Sequence, residues 1–286
     1  EGFSSPIYSI AFSPDGTKLA AGMFDNSIRI WDIATGSLSL TLLGHTAPVR
    51  SIAISPDGTR LASVSDDLRT ILWDMEDGSQ VRSTGGHTDS VLSVAFSPDG
   101  TLLVTSSADQ NIRISKSSDG SHITTLREHQ NAVLSVVFSP DGRTLVSTST
   151  DHSVRLWRVS DGTVLTTLEG HNTDVLSLDF LPQQTLLATG SQDGNIYLWD
   201  TINISIQRIM GGHTGEVRSL VHTADGDVLF SGSSDNTVRM WNVSNGAPIG
   251  SFRTTGIANS LALSPDGTIL AMGSEDGILR LWGISP

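Results

Sequence analysis

The sequence predicts an all-β chain in which seven like units, each a four-stranded antiparallel sheet, stand around one axis. Three observations carry that prediction: a tetrapeptide that returns at a fixed interval, hydrophobic alternation of period two between its copies, and no window of eleven residues with a helical apolar stripe. Ser-Pro-Asp-Gly begins at Ser13, Ser55, Ser97, Ser139 and Ser264, and degraded copies begin at Leu181 and Thr223. Successive copies lie 42 residues apart five times and 41 residues apart once. The units therefore run over about 1–42, 43–84, 85–126, 127–168, 169–210, 211–251 and 252–286, which leaves no room for a linker. Residues 1–286 read as one domain.

The second unit shows each element in turn. Val49 to Ile54 alternates apolar and polar residues, as a half-buried strand does, and Ser55-Pro56-Asp57-Gly58 then turns the chain. Proline presets φ at the second position of such a turn, Asp suits the third, and Gly accepts the backbone that closes it. Leu61 to Val64 is the second strand; a turn at Asp66-Asp67 leads to a third that ends at Ile71-Leu72-Trp73. Asp77-Gly78 makes the last turn, before a strand that runs toward Gly85-Gly86-His87. One such meander cannot cover its own faces. Seven set radially bury sheet against sheet and leave only short edges.

Composition narrows the function. The chain has 17 basic and 30 acidic residues, a formal charge of -13 and no Cys. Nucleic-acid affinity and attraction to anionic lipid both rest on clustered Lys and Arg, so neither a nucleic acid nor a membrane is expected as a partner. The missing Cys removes disulfides, thiolate metal sites and Cys nucleophiles; a cytoplasmic location is the default.

The units resemble WD40 repeats over the whole chain. Gly44-His45, Gly86-His87, Gly170-His171 and Gly212-His213 match the family's first signature, and Trp31-Asp32, Trp73-Asp74 and Trp199-Asp200 its second. The resemblance implies a seven-bladed β-propeller. It also implies that the last blade lacks its outer strand in this chain, since the sequence stops four residues past Trp282. In the family that strand commonly comes from the opposite terminus, so Glu1-Gly2-Phe3 is expected to be its tail, and the chain a domain of a longer protein.

A set that imitates a catalytic triad recurs: His45, Ser63, Asp67 and Trp73; His129, Ser147, Asp151 and Trp157; His171, Thr189, Asp193 and Trp199; His213, Ser231, Asp235 and Trp241. A hydrolase needs one asymmetric constellation, whereas this set comes in four complete copies aimed in different radial directions. The resemblance implies buried hydrogen-bonded networks that hold each blade together, which is how such polar groups are tolerated inside a fold. One His per blade cannot converge on a metal, so no metal site, cofactor or catalytic residue is expected. Blade one (Phe3, Ala21, Asp25, Trp31), blade three (Ser115 in place of Trp) and blade seven (Thr254, Met272, Asp276, Trp282) depart from the set. Blades one and seven, adjacent across the ring closure, are expected to be least stable.

Function then falls to positions that vary while the scaffold repeats. Carried over from the family's binding face, these include Tyr8, Phe24, Arg50, Asp66, Leu92, Leu134, Leu176 and Arg218. Aromatic residues and Arg are the usual interface anchors. Against a partner face stands the plainer view that Tyr8 and Phe24 cap a weak blade and the leucines line a channel. The expected function is a non-catalytic scaffold or sensor that binds a protein or peptide segment, monomeric as an isolated domain. A permanent structural subunit is the alternative, and a propeller enzyme a more distant one.

Overall fold

Each Ser-Pro-Asp-Gly turn is closed by its own side chains. In the second copy Gly58 N–H donates to the Ser55 carbonyl at 2.8 Å, Ser55 Oγ donates to Asp57 Oδ1 at 2.6 Å, and Asp57 Oδ1 also accepts Thr59 N–H at 3.0 Å. Gly58 lies at φ +73°, where a Cβ would be strained. Arg60 N–H then donates to Ser55 Oγ at 3.0 Å, and the second strand starts in register with the first. Pro14 Cδ would lie 3.6 Å from a Cβ on Gly58, so successive turns nest around the ring.

The computed structural model describes residues 5–182 and 185–284; Phe3 and Gln183-Gln184 lie outside them. Among the described residues, 27 strands run from β1 (Ile7–Phe12) to β27 (Leu279–Gly283), and no helix is present. Each blade is an antiparallel meander. Six have four strands and the seventh has three, Ala258–Leu263, Ile269–Ser274 and Leu279–Gly283. The first strands of neighbouring blades meet along the axis.

The core lies between sheets. Ile28, Ile30 and Leu42 from the outer strands of blade one pack with Val49, Ile52, Leu61 and Trp73 of blade two, and the same layering recurs around the ring. The ring closes without strand exchange among the described residues: Ile7, Ile10 and Leu19 of blade one pack on Ala271 and Leu279 of blade seven. A serine in the first strand adds an inter-blade hydrogen bond. Ile52 N–H donates to Ser9 Oγ at 3.1 Å, Leu261 N–H to Ser219 Oγ at 2.9 Å, and Ile10 N–H to Ser260 Oγ at 3.1 Å across the closure.

One irregularity repeats in all seven blades. The pairing of the first and second strands skips a residue near the start of the first strand: between Ile7 and Ser9, Val49 and Ser51, Val91 and Ser93, Val133 and Ser135, Val175 and Ser177, Val217 and Ser219, and Ala258 and Ser260. A bulge bends the strand and re-aims the extra side chain. The residues so re-aimed are Tyr8, Arg50, Leu92, Leu134, Leu176, Arg218 and Asn259.

Candidate binding face

Those seven bulged residues converge. Together with Glu216 they wall an open depression of about 290 Å³, so each blade contributes one side chain to a common hollow. Its floor divides by chemistry. Leu92, Leu134 and Leu176 on blades three to five make an apolar arc, and Tyr8, Arg50, Arg218, Glu216 and Asn259 make a polar one.

The polar arc is fixed by its own contacts. Arg50 Nε donates to both oxygens of Asp66 at 2.9 Å, its Nη2 lies 2.7 Å from Asp66 Oδ2, and its guanidinium sits 4.7 Å from the centroid of the Tyr8 ring. The Asp66 bond holds the Arg50 pKa above its ordinary value despite partial burial, and burial in turn raises Tyr8. Phe24 stands edge-on to Tyr8, with centroids 6.1 Å apart, and remains 51% exposed. Opposite, Arg218 Nε donates to Glu216 Oε2 at 3.0 Å and Nη1 donates to Asn259 Oδ1 at 3.1 Å; Asn259 Nδ2 donates to Glu275 Oε2 at 3.0 Å. Both guanidiniums are thus oriented before any ligand arrives.

Six of the eight expected face residues therefore line the hollow. Phe24 and Asp66 do not; Phe24 supports Tyr8 from the rim and Asp66 clamps Arg50. Glu216 and Asn259 complete the wall. They stand at positions of the same repeat classes as the chosen ones, and their polar side chains had no signal apart from that phase.

The triad look-alikes lie elsewhere, one inside each of blades two, four, five and six. In blade two His45 Nδ1 meets Asp67 Oδ2 at 2.8 Å, His45 Nε2 meets Ser63 Oγ at 2.8 Å, and Trp73 Nε1–H donates to Ser63 Oγ at 2.8 Å. The sets of His129, Ser147, Asp151 and Trp157 and of His213, Ser231, Asp235 and Trp241 close the same way, with distances of 2.7 to 2.9 Å. Burial holds His45 and His213 below their ordinary pKa. Burial also pushes Asp67 up, but the Thr46 N–H and the His45 ring outweigh it and keep the carboxyl below its usual range. Ser63 is fully buried and its oxygen is already engaged by indole and imidazole, so it cannot meet a substrate carbonyl.

The fourth set corrects the expectation for Asp193. His171 Nε2 and Trp199 Nε1 both reach Thr189 Oγ1 at 2.9 Å, but Asp193 Oδ2 accepts the Tyr197 hydroxyl at 2.9 Å, and His171 Nδ1 is buried without a hydrogen-bond partner among the described residues. The cause is Tyr197, which stands where the other closed sets have Ile71, Arg155 and Arg239. Its ring packs 4.1 Å from the His171 ring and its hydroxyl takes the carboxylate. Burial lowers the His171 pKa to about 4, the Asp193 charge opposing it only in part.

The departing blades use other partners. Asp25 pairs with Arg29 at 2.9 Å, and Asp276 pairs with Arg280 at 2.6 Å and accepts Thr255 Oγ1 at 2.6 Å. In blade three His87 bridges Asp109 and Thr105 at 2.9 Å each, with Ser115 where an indole would stand. Among the described residues no three of His, Asp and Glu gather as a metal site.

Comparison with known proteins agrees with this geometry. The family model described as WD domain, G-beta repeat matches residues 1–32, 36–74, 78–114, 120–158, 162–200, 204–242 and 246–283. Ribosome assembly protein 4 of Chaetomium thermophilum is 48% identical over 46 residues, a stretch that is 16% of this chain and 9% of that protein. The likeness to that curated relative is thus about one repeat long.

Proposed function

Because the chain belongs to the WD40 repeat family, whose propellers are in general non-catalytic scaffolds, we propose that it binds a protein or peptide segment through the axial depression. One observation carries this reading: seven bulges at the same place in each blade aim side chains of four kinds, segregated into an apolar and a polar arc, into one hollow. The scaffold repeats and the hollow does not, as expected of a surface shaped for one ligand. An apolar side chain of the segment would enter the arc of Leu92, Leu134 and Leu176, while its backbone carbonyls or an acidic group would meet Arg50 and Arg218. Preorganised guanidiniums lose little freedom on binding, which favours affinity. We place this activity in the cytoplasm, as the sensing or recruiting domain of a regulatory protein.

A second reading has its own observation. Ile202, Ile204, Ile206 and Ile209 crowd the outer edge of blade five and are exposed, Ile202 at 71%. Apolar clusters of that kind mark contact surfaces, and a permanent neighbour in a larger assembly would cover them.

The test compares partner retention by the parent chain, a Tyr8→Ala, Arg50→Ala, Leu134→Glu variant, and an Ile202→Ser, Ile209→Ser variant, all of matched melting temperature. Loss with the first variant supports the axial site. Loss with the second alone, leaving the first as competent as the parent, overturns it in favour of the blade-five edge.

A further inference from the structure

Ser115 does more than weaken a blade. In the blades that keep the tetrad Trp, the indole fills the gap between its own blade and the outer strands of the one before it. Trp73 packs on Ile28, Ile30 and Leu42; Trp157 on Ile112, Ile114 and Leu126; Trp199 on Val154, Leu156 and Leu168; Trp241 on Ile196, Leu198 and Met210. The residues that face Ser115 from blade two are Thr70, Leu72 and Thr84, and they line a cavity of about 330 Å³. Two of the three wall positions have become threonine where the equivalent positions of blades one, three, four, five and six are all apolar. Loss of the ring and polarisation of the wall occur together, on opposite sides of one interface, in units more than thirty residues apart.

The cavity also has a polar floor with an open valence. Thr105 is buried and its Oγ1 bonds His87 Nε2 at 2.9 Å. In the other sets the equivalent oxygen also accepts an indole N–H, at 2.8 Å from Trp73, Trp157 and Trp241 and at 2.9 Å from Trp199. Among the described residues Thr105 Oγ1 receives no such donor. At the mouth, Arg113 lies across Gly86 and donates to its carbonyl at 3.2 Å. Arg82 lines the same cavity, and its charge also acts on Asp119 at the neighbouring turn.

We infer that the space between blades two and three is a binding site for a planar aromatic group that carries an N–H donor and an anionic substituent, of the indole-carboxylate class. The ring takes the place of the missing indole, its N–H donates to Thr105 Oγ1, and its carboxylate meets Arg82 and Arg113. The volume suffices: an apolar cavity of about 150 Å³ already admits benzene. The site is separate from the axial hollow, so its occupancy stands or falls apart from the scaffold reading.

The test is calorimetric titration of the 286-residue chain with indole-3-acetate, indole, 1-methylindole-3-acetate and N-acetyltryptophan amide. The first should bind best. Blocking the ring nitrogen should weaken binding about tenfold, the worth of one hydrogen bond, and Arg82→Ala should weaken indole-3-acetate while leaving indole unchanged. Ser115→Trp, which supplies the ring covalently, should abolish binding of all four and raise the melting temperature. Thr105→Val, which keeps the volume, should erase the preference for the free N–H and serves if Ser115→Trp does not fold. Tightest binding of the neutral tryptophan amide would assign the pocket to a partner's Trp side chain and overturn the anionic part. No binding of any probe at millimolar concentration, or binding undiminished by Ser115→Trp with the free N–H still preferred in Thr105→Val, would overturn the site itself.

Discussion

Asp151 and Asp193 occupy the same position in successive blades, yet their removal should have unequal cost. Asp151 Oδ2 accepts His129 Nδ1–H at 2.8 Å and Gln130 N–H at 2.9 Å, and its Oδ1 accepts Ser153 N–H at 2.9 Å and Ser153 Oγ–H at 2.5 Å. The His129 side chain is only 1% exposed, so water cannot replace the carboxylate there, and Ser153 Oγ, at 3.3 Å from Nδ1, is a longer and weaker substitute. One buried donor left unpaired costs about 1–3 kcal/mol, and each bond nearer the surface contributes about 0.5–1.5 kcal/mol. Asp151→Ala should therefore remove about 2–4 kcal/mol. Asp193→Ala deprives the neutral His171 of no hydrogen bond, because Nδ1 is already without a partner among the described residues. It releases the Tyr197 hydroxyl and the Asn195 N–H, the latter at an exposed turn, and should cost about 1–2 kcal/mol.

The assay is urea unfolding at pH 7.5, in which an unchanged slope licenses reading the midpoint as stability. Tyr197→Arg, which copies blades four and six, should free the Asp193 carboxylate for His171. In that background Asp193→Ala should become as costly as Asp151→Ala, a coupling that a double-mutant cycle reads directly. Equal losses from the two single Ala variants, with no coupling to position 197, would refute the claim that Tyr197 has broken the fourth network.

Three further expectations follow from the same contacts. His45, His87, His171 and His213 all have folded-state pKa values lowered by burial, so the unfolded chain takes up protons first as pH falls. The contribution of these four should be fully present above about pH 6.5 and decline on acidification, outweighing the opposite trend of His222, whose pKa, despite burial, its Asp179 bond raises; His171, at about 4, alone accounts for about 3 kcal/mol of the loss. Calorimetric melting at pH 7.5 and 4.5 checks this, His171→Gln should flatten the decline, and a flat profile for the parent chain would sink it. Thr148 Oγ1 is buried without a partner, at the position that Val64 fills in blade two. Thr148→Val should raise the unfolding free energy by about 1 kcal/mol, seen as a higher urea midpoint at unchanged slope, and a lower midpoint would show that the hydroxyl has a role. In amide hydrogen exchange, blades one and seven should open first, since Trp31 and Trp282 are less buried than the four tetrad indoles; finding them the slowest to exchange would contradict the assignment of the weak seam.

What the sequence made legible was whatever repeats. The 42-residue period located the turns because Ser55, Asp57 and Gly58 bond within four residues of one another, and local chemistry survives translation into text. The closed sets were legible for a similar reason, through fixed spacings of 18, 4 and 6 residues whose members meet inside one sheet. The inter-blade serines Ser9, Ser219 and Ser260 went unremarked although they recur at the same period; a polar residue on a strand announces no partner, and the partner here is the next blade's backbone.

The remainder was hidden because it arises between units. Asp193 matches its motif perfectly, and only Tyr197, on the neighbouring strand, decides that the carboxylate turns away. Ser115 reads as a lone loss until Thr70 and Thr84, on the preceding blade, are set against the aliphatic residues at the same phase. Asp179 and His222 behave alike: each replaces an apolar residue of the repeat, and they meet at 2.6 Å across the interface of blades five and six. Drift in a repeat protein degrades single positions, since each unit touches only its neighbours. Two departures that are chemically matched and face each other across one interface are therefore the mark of selection for something the repeat itself does not supply. By that criterion the gap at Ser115 and the Asp179–His222 pair stand out from the scattered substitutions of blade seven: the pair satisfies itself by a hydrogen bond, whereas the gap lines a cavity.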